Sequence, residues 1–531
     1  MEVIDKKELQ GLLVRGYNPL HAACYLLLKI KSAQAAKDWL SKEFQQFTTG
    51  DRHPETALNI AFTWQGLRAL GLSEDSLATF PFEFQDGMAT PHKQFLFGDY
   101  GSSDPAGWTW GGKNNEPVDV LLLLYAPDNS ALDKLYIKLR SQWTNDPFEE
   151  IKKLDTKVIT ERKEHFGFHD GISQPAIIGL GRDNEPAENK IAPGEFILGY
   201  KNEYGQFTAS PTVLATTDRT GLLPPARDVI LSGDGPLTPT RDGTPSQDGT
   251  PSRDGRTQKD LGQHGSFLVF RQLEQDVRKF WDFMEAKAGD HSHPGRPADH
   301  THPADPGTAI HPADSAHPND STHPADPTDM IRLASKIVGR WPSGTPLELS
   351  PEKDKPDLDD KNRFNYIPAD KDGLICPFGS HVRRTNPRDS INRGDSTSIE
   401  VSKKHRLLRR GRSYGTPLAA SMKPEDILRG KDDGSARGLH FICLNADLGR
   451  QFEFIQNFWI NNPKFDGLYD EKDPLTGNYH DPQNQKTTGT FGIPAEKLRQ
   501  RFTDLPEFVT VKGGAYFFLP GMRALQYLSS L

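Results

Sequence analysis

The stretch FGFHDGISQP, residues Phe166–Pro175, holds an acidic side chain, Asp170, between two closely spaced glycines. Glycine lets the backbone turn sharply and lets another group approach it closely. The neighbouring rings of Phe166 and Phe168 give the carboxyl group apolar surroundings, which are expected to raise its pKa and to suit it to proton transfer near neutral pH. Taken by itself, the stretch is also compatible with an ordinary Asp-Gly turn.

Two later stretches combine histidine, arginine and tight turns. They are CPFGSHVRRTNPR at Cys376–Arg388 and HRLLRRGRSYG at His405–Gly415. Histidine is a common axial ligand of haem iron, and guanidinium stays protonated while it holds several donors in a rigid fork. Together with GFHDG, these stretches resemble the three signatures of the dye-decolorising peroxidase family of haem proteins.

The resemblance implies a role for one residue in each signature. Asp170 corresponds to the distal acid–base residue, His381 to the proximal ligand of the haem iron, and Arg409 to the distal arginine. Asp170 would accept and return a proton of peroxide, while Arg409 would favour the ionised acid and stabilise charge on the departing oxygen. Arg410 stands next to Arg409, and the motif assigns the role to Arg409. His169 is expected to be a structural neighbour of the acid.

The same resemblance implies further contacts with the haem. They fall on three short segments: Gly171, Ile172 and Ser173; Asn386, Pro387 and Arg388; Leu439 and Phe441. Arg388 is expected to hold a haem propionate through paired hydrogen bonds. Leu439 and Phe441 alternate on a predicted strand and therefore point to one face. They match the apolar pair that covers the distal pocket in the family, and ordinary sheet core stays open as the alternative.

The composition of the chain narrows the class of protein further. A formal net charge of −8 argues against a nucleic-acid-binding surface, which needs a basic stripe. The cysteines Cys24, Cys376 and Cys443 are odd in number and widely spaced, so they fit buried free thiols in a reducing compartment. No apolar run approaches the length of a membrane span, and the start MEVIDKKELQ lacks a secretory signal pattern. We expect a cytoplasmic protein without a membrane partner, with export and a homo-oligomer left open.

Strand and helix patterns alternate twice along the chain. In the first half, the predicted elements are strand-like segments within Leu9–Ile30, a helix over Ala33–Phe47, a strand over Leu58–Phe62, a helix over Trp64–Leu70, a strand over Asp119–Tyr125 and a helix over Ser130–Trp143. In the second half, they are a strand over Gly265–Phe270, a helix over Gln272–Lys287, a strand over Gly438–Leu444, a helix over Leu448–Ile460, a strand over Gly514–Leu519 and a last helical turn over Met522–Leu528. The fold class is therefore α+β, and the resemblance implies two tandem ferredoxin-like domains with antiparallel sheets that enclose a haem pocket.

The predicted domains are residues 1–205, which carry the GxxDG motif, and the haem-ligating residues 265–531, with a connection over 206–264. Two segments are too polar to form core. Thr238–Gly255 repeats a unit of the type TPTRDG, and Asp290–Asp329 repeats His-Pro followed by Ala or Asn and Asp. Their few apolar residues cannot offset the entropy of ordering, so we expect exposed, mobile loops. Weak binding of transition metals by the histidine repeats stays open.

The predicted function is that of a haem b peroxidase with one haem per chain. It would reduce hydrogen peroxide and oxidise bulky dyes and phenolic donors in one-electron steps. A haem carrier or iron-release protein would use the same pocket without turnover, although mere binding needs neither Asp170 nor Arg409. A structural or metal-storage protein built on the His-Pro repeats is a second rival, which the lack of apolar partners in those repeats disfavours.

Overall fold

A computed structural model describes residues 3–159, 162–182, 184–227, 257–288, 326–391, 395–480 and 487–531 of the chain. The repeats at Thr238–Gly255 lie outside these ranges, and so does the histidine-rich segment as far as residue 325. The end of that segment was predicted as loop, but a helix begins there at Pro327. The side chain of Asp326 accepts a hydrogen bond from Thr328 N, and proline is favourable at the first helical position.

The strands of the described residues run antiparallel within the large sheet. In chain order they are β1 (Ala22–Ile30), β2 (Ala57–Phe62), β3 (Val120–Ala126), β4 (Phe148–Asp155), β5 (Ala176–Ile177), β6 (Lys190–Ile191), β7 (Thr212–Leu214), β8 (Gln258–Asp260), β9 (Ser266–Gln275), β10 (Leu408–Arg409), β11 (Arg412–Tyr414), β12 (Gly438–Asn445), β13 (Gly489–Ile493), β14 (Gln500–Leu505) and β15 (Val509–Leu519). The short strands pair separately as β5 with β6, β7 with β8, and β13 with β14.

The helices of the described residues lie mainly between these strands. In chain order they are α1 (Gly11–Val14), α2 (Ala33–Glu43), α3 (Trp64–Leu70), α4 (Glu74–Leu77), α5 (Phe82–Asp86), α6 (Pro91–Phe97), α7 (Asn129–Ser141), α8 (Val277–Ala288), α9 (Pro327–Val338), α10 (Ile367–Asp370), α11 (His381–Thr385), α12 (Ser398–Lys404), α13 (Pro424–Arg429) and α14 (Met522–Ser529). A wider helix with π-type hydrogen bonding covers Gly449–Glu453 and Ile455–Ile460. Within the described ranges, no helix is both long and apolar enough to cross a membrane.

One nine-stranded sheet carries both halves of the chain. The first half contributes the order β4-β1-β3-β2 and the second half the order β15-β9-β12-β10, with β11 beside β12. Each is the strand order of a ferredoxin-like unit, so the predicted α+β fold class is confirmed. The two halves meet where Phe518 of β15 pairs with Phe62 of β2. The domain boundaries at 205–206 and 264–265 stay predictions.

The central strands are apolar on both faces because both faces of the sheet are covered. Along β1, Cys24, Leu26 and Leu28 point into one hydrophobic core, which includes side chains of α2, α3 and α7. The alternate residues Tyr25 and Leu27 point into a second core on the other face. A strand buried on both faces is a continuous apolar run rather than an alternating one, which is the pattern that the sequence shows here.

Of the strand-like segments predicted within Leu9–Ile30, the second forms β1, which starts at Ala22, but the first does not form a strand. The segment before it forms the short helix α1, Gly11–Val14. The side chain of Gln10 replaces a strand partner, because its amide donates to Ile60 O at 2.8 Å and Pro520 O at 3.0 Å and accepts from Ile60 N at 2.8 Å. A hydrophobic pattern does not show such a side-chain substitute for sheet pairing.

The helix predicted from Gln272 begins later, at Val277. Strand β9 continues to Gln275 because β12 and β15 pair with it on its two sides. The predicted helix over Leu448–Ile460 is confirmed, although its hydrogen bonds are of the wider π type.

A cavity made in the hydrophobic core on the first face of the sheet should lower the stability of the protein. Leu122 is 0% exposed and pairs with Leu26 and Ile60, so Leu122→Ala should lower the free energy of unfolding by about 2–5 kcal/mol. Urea denaturation of the two proteins measures this difference. Leu498→Ala removes the same atoms at a position that is 63% exposed and should change the free energy by less than about 0.5 kcal/mol. Equal effects of the two substitutions would contradict the assignment of the core.

Candidate active site

A cavity of about 280 Å³ lies against the second half of the sheet. Strands β9, β10, β12 and β15 form one wall, and α11, the π-type helix and the loop with FGFHDG contribute the others. The three predicted principal residues, Asp170, His381 and Arg409, all line this cavity. It is also lined by six of the predicted contact residues: Gly171, Ile172, Ser173, Asn386, Leu439 and Phe441.

His381 is the first residue of α11 and is held by a buried carboxylate. Its Nδ1 lies 2.9 Å from Oδ2 of Asp473, whose side chain is fully buried. Asp473 in turn accepts hydrogen bonds from Thr476 N at 2.8 Å and Leu475 N at 3.0 Å. Because Nδ1–H is committed to the carboxylate, Nε2 is the ring nitrogen left to bind a metal, as in many metal-ligating histidines.

The charges around His381 and Asp473 stabilise each other. Burial lowers the pKa of His381, but the charge and the hydrogen bond of Asp473 outweigh it, so the net pKa is raised. Burial likewise raises the pKa of Asp473, but His381 and Arg384 bring the net value below its ordinary range. The carboxylate therefore remains ionised and keeps the imidazole in one orientation.

The arginines that follow His381 anchor α11 instead of facing the cavity. Arg383 donates to Asp370 Oδ2 at 2.8 Å and to Cys376 O at 2.7 Å. Arg384 donates to Trp459 O at 2.7 Å and to Glu471 O at 2.9 Å. The histidine is thus fixed to neighbouring segments by the chain itself.

Asp170 and Arg409 form a hydrogen-bonded ion pair. Nη1 of Arg409 lies 2.7 Å from Oδ1 of Asp170, which also accepts from Gly171 N at 2.6 Å. Burial raises the pKa of Asp170, but Arg409 outweighs this through its charge and hydrogen bond, so the net pKa is lowered. The expectation of a raised pKa at Asp170 was therefore wrong, because Arg409, and not the phenylalanine rings, controls its ionisation.

The adjacent side chains of Arg409 and Arg410 lie in different surroundings. Gln174 locks Arg409 in place, since its side-chain amide both donates to Arg409 O and accepts from Arg409 N at 3.1 Å. Arg410 points elsewhere and donates to Leu12 O at 2.7 Å and Leu13 O at 3.2 Å. Of these two adjacent arginines, only Arg409 is among the residues that line the cavity.

The loop before Asp170 is organised by Glu164, a residue that the sequence interpretation missed. Its carboxylate accepts from Phe166 N at 2.9 Å, from Phe168 N at 3.0 Å and from Gln275 Nε2 at 2.6 Å. Gly167 has a φ of +95°, and a Cβ there would come 2.9 Å from a backbone oxygen, so glycine is needed. Burial raises the pKa of Glu164 to about 7. In this loop the pKa is therefore raised at Glu164 and lowered at Asp170.

At another part of the cavity, the described residues form no ion pair with the buried cations Arg340 and Arg406. Burial and neighbouring arginines lower the pKa of Arg340 and of Arg406 to about 9. Arg340 donates to Ser173 Oγ at 2.8 Å. Nη2 of Arg406 and both amide atoms of Asn386 are buried without a hydrogen-bond partner among the described residues. All three residues line the cavity, so this end fits the carboxylate groups of a cofactor such as haem.

Arg388 does not reach this end of the cavity. Its guanidinium donates to Asn362 O at 3.0 Å, Phe364 O at 2.8 Å and Asn362 Oδ1 at 2.8 Å. Neither Pro387 nor Arg388 is among the residues that line the cavity. The prediction that Arg388 holds a propionate directly is therefore not supported, whereas Arg406 lines the cavity and has an unpartnered nitrogen among the described residues.

The raised pKa of Glu164 should make the stability of the protein depend on pH. Its folded pKa lies above the unfolded value, so its stabilising contribution is present at low pH and is lost as the pH rises through about 7. We expect Glu164→Gln to become more stable relative to the parent as the pH increases from about 4.5 to about 7. Urea denaturation at several pH values measures this slope, and Glu55→Gln at an exposed position is the control. A difference in the free energy of unfolding between Glu164→Gln and the parent that stays constant with pH would contradict this expectation.

Comparison with known proteins finds similarity to the family that the motifs resemble. No family model matches the chain. Among curated proteins, a dye-decolorizing peroxidase of Mycena epipterygia is 29% identical over 521 residues, covering 90% of this chain and 77% of the relative. A multifunctional dye peroxidase of Amycolatopsis sp. is 28% identical over 449 residues, covering 80% of this chain and 74% of the relative.

Solved structures match over nearly the whole chain. An ancestral D-type dye-decolorizing peroxidase has a TM-score of 0.71 at 24% identity and covers 99% of both chains. A dye-decolorizing peroxidase in complex with 2,6-dimethoxyphenol has a TM-score of 0.69 at 22% identity and covers 100% of both chains. Over most of its length the chain is therefore similar in sequence and in fold to dye-decolorizing peroxidases.

Proposed function

We propose that this protein is a haem peroxidase that reduces hydrogen peroxide and oxidises dyes and phenols in one-electron steps. The observation that carries the proposal is the ion pair between Asp170 and Arg409 on the same cavity as His381. A carrier would need only a ligand and apolar walls. An ionised acid held by a guanidinium is the arrangement that general acid–base chemistry on peroxide requires.

We propose haem b as the cofactor of the protein, with one haem per chain. His381 would bind its iron through Nε2, and Arg406, Arg340 and Asn386 would hold its carboxylates. Gly171, Ile172, Ser173, Leu439 and Phe441 would contact the macrocycle. When bound, haem supplies the iron centre at which peroxide is reduced and donors are oxidised.

The chain's own residues supply the proton chemistry. Asp170, ionised beside Arg409, accepts a proton from one peroxide oxygen and returns it to the other as the O–O bond breaks. The Arg409 guanidinium stabilises negative charge on the departing oxygen. Leu439 and Phe441 present apolar side chains to the cavity and limit access of bulk water. Asp473 orients His381 throughout.

We propose a cytoplasmic location for the protein. Cys24, Cys376 and Cys443 are buried free thiols, which supports a reducing, cytoplasmic compartment. The proposed partners are peroxide and small donors, with neither a nucleic acid nor a membrane, and a homo-oligomer stays open.

The test of the function is the visible spectrum and turnover of the purified protein. A Soret band with peroxide-dependent oxidation of an anthraquinone dye supports the proposal. A Soret band without turnover would support the carrier instead.

His381→Ala should lose most of the bound haem while the protein stays folded. The iron loses its protein ligand, whereas α11 keeps the anchors of Arg383 and Arg384. Haem content by the pyridine haemochrome assay and folding by circular dichroism measure the two parts. His53→Ala, at an exposed position, is the control. Normal haem content in the His381 variant would remove that residue from the ligand role.

Asp170→Asn keeps the shape of the side chain but cannot carry the proton. Reaction with peroxide should slow by about 100- to 10,000-fold at unchanged haem content. Arg409→Leu should slow it too, because charge on the departing oxygen is no longer stabilised. Stopped-flow spectra in the Soret region, scaled to haem content, measure both, with exposed Asp38→Asn as control. An Asp170→Asn protein that reacts at the parental rate would move the proton transfer to another group.

A further inference from the structure

The cavity has a second polar end, formed by Arg271 and Asp99, which the proposed proton chemistry does not use. Arg271 lies on β9 opposite Phe441 of β12. Nη2 of Arg271 is ion-paired with Oδ1 of Asp99, and the side chains are only 4% and 2% exposed. Both residues line the cavity.

Several polar atoms at this end lack a partner. Among the described residues, no hydrogen-bond partner is found for Nε and Nη1 of Arg271 or for Oδ2 of Asp99. The Arg271 guanidinium lies over the rings of Phe97 and Trp108, at 5.3 and 5.9 Å from their centroids, which provides cation–π contact but no acceptor oxygen. Buried donors and acceptors left without partners are costly, so these atoms point to a bound molecule.

Haem would not satisfy these atoms. Its polar groups are two carboxylates, which fit the end of the cavity at Arg406 and Asn386, and the rest of its edge is hydrocarbon. Arg271 is on β9, two strands away from Arg409 on β10, which is about 10 Å at the usual strand spacing. The Arg271 end therefore needs a different partner.

The charges and walls of this end define the chemistry of that partner. The charge of Arg271 is already balanced by Asp99, so an anion is not required. The free atoms call for a neutral group that accepts from Arg271 and donates to Asp99 Oδ2, which a hydroxyl does. The adjoining cavity wall is aromatic, with Phe97 and Phe441 lying 5.6 and 6.4 Å from the ring of Phe452. A hydroxyl attached to an aromatic ring matches both features.

We propose that Arg271 and Asp99 form a binding subsite for the hydroxyl of a small phenol, with its ring against Phe97, Phe441 and Phe452. This inference rests on the proposed peroxidase function and specifies one class of its donors. Small phenols would bind inside the cavity, while bulky dyes would not use this subsite.

The first test compares two ligands on the unmodified, haem-loaded protein without peroxide. 4-Methylphenol and 4-methylanisole differ only in that a methyl group replaces the hydroxyl proton. Calorimetric titration should show at least about tenfold tighter binding of the phenol, because the ether cannot donate to Asp99. Equal affinities would overturn the proposal, and so would the absence of any phenol binding, which would leave the polar atoms to water.

The second test changes Arg271, the hydrogen-bond donor of the subsite. Arg271→Lys keeps a positive charge for Asp99 but removes the fork of donors, so affinity for 4-methylphenol should fall about tenfold. The KM for the phenol should rise accordingly. Arg68→Lys, in an exposed pair with Glu74, is the matched control. Unchanged phenol affinity in Arg271→Lys would overturn the proposal. If Arg271→Lys does not bind haem, the proposal is tested by the comparison of 4-methylphenol with 4-methylanisole on the unmodified protein. Absence of dye oxidation in the parent would instead contradict the peroxidase function.

Discussion

The hydrogen bond of 2.7 Å between Arg409 and Asp170 joins two parts of the chain that the fold must first bring together. Asp170 lies in a loop that follows β4, at one end of the sheet order, and Arg409 lies on β10, at the other end. Gln174 adds a second connection through two hydrogen bonds to the backbone of Arg409. The distance between acid and arginine is therefore set by the loop that crosses from the first half to the second, and not by one local motif. A site built this way is rigid only when both halves are folded.

Burial determines how each charge at the site behaves. Asp170 and Asp473 have lowered pKa values because each has a cationic partner that outweighs its desolvation. Glu164 accepts only from neutral donors, and burial therefore raises its pKa to about 7. Arg406 is the converse case, a buried cation with an unpartnered nitrogen. Because an unpaired buried charge costs several kcal/mol, the Arg406 end of the cavity suits an anionic group, which the described residues do not provide.

The sequence predicted the parts of this protein that short motifs encode. GFHDG, CPFGSH and LLRR each carry their functional residue in a local pattern, and the structure brings Asp170, His381 and Arg409 to one cavity. Asp473 and Glu164 were missed because their roles depend on contacts with partners that no local pattern shows. The pKa of Asp170 was predicted in the wrong direction for the same reason: its phenylalanine neighbours are adjacent in sequence, whereas Arg409 is adjacent only in space.

The density of arginine in CPFGSHVRRTNPR has a structural explanation. Arg383, Arg384 and Arg388 all donate to backbone carbonyl oxygens of other segments, so each ties irregular chain to the short helix that starts at His381. Loops without sheet or helix partners leave carbonyl groups unsatisfied, and a guanidinium can serve several of them at once. These hydrogen bonds within the polypeptide thus hold the His381 side of the cavity in shape. It follows that His381 does not need to be placed by an iron bond, because its position is already fixed by Asp473 and by these arginines.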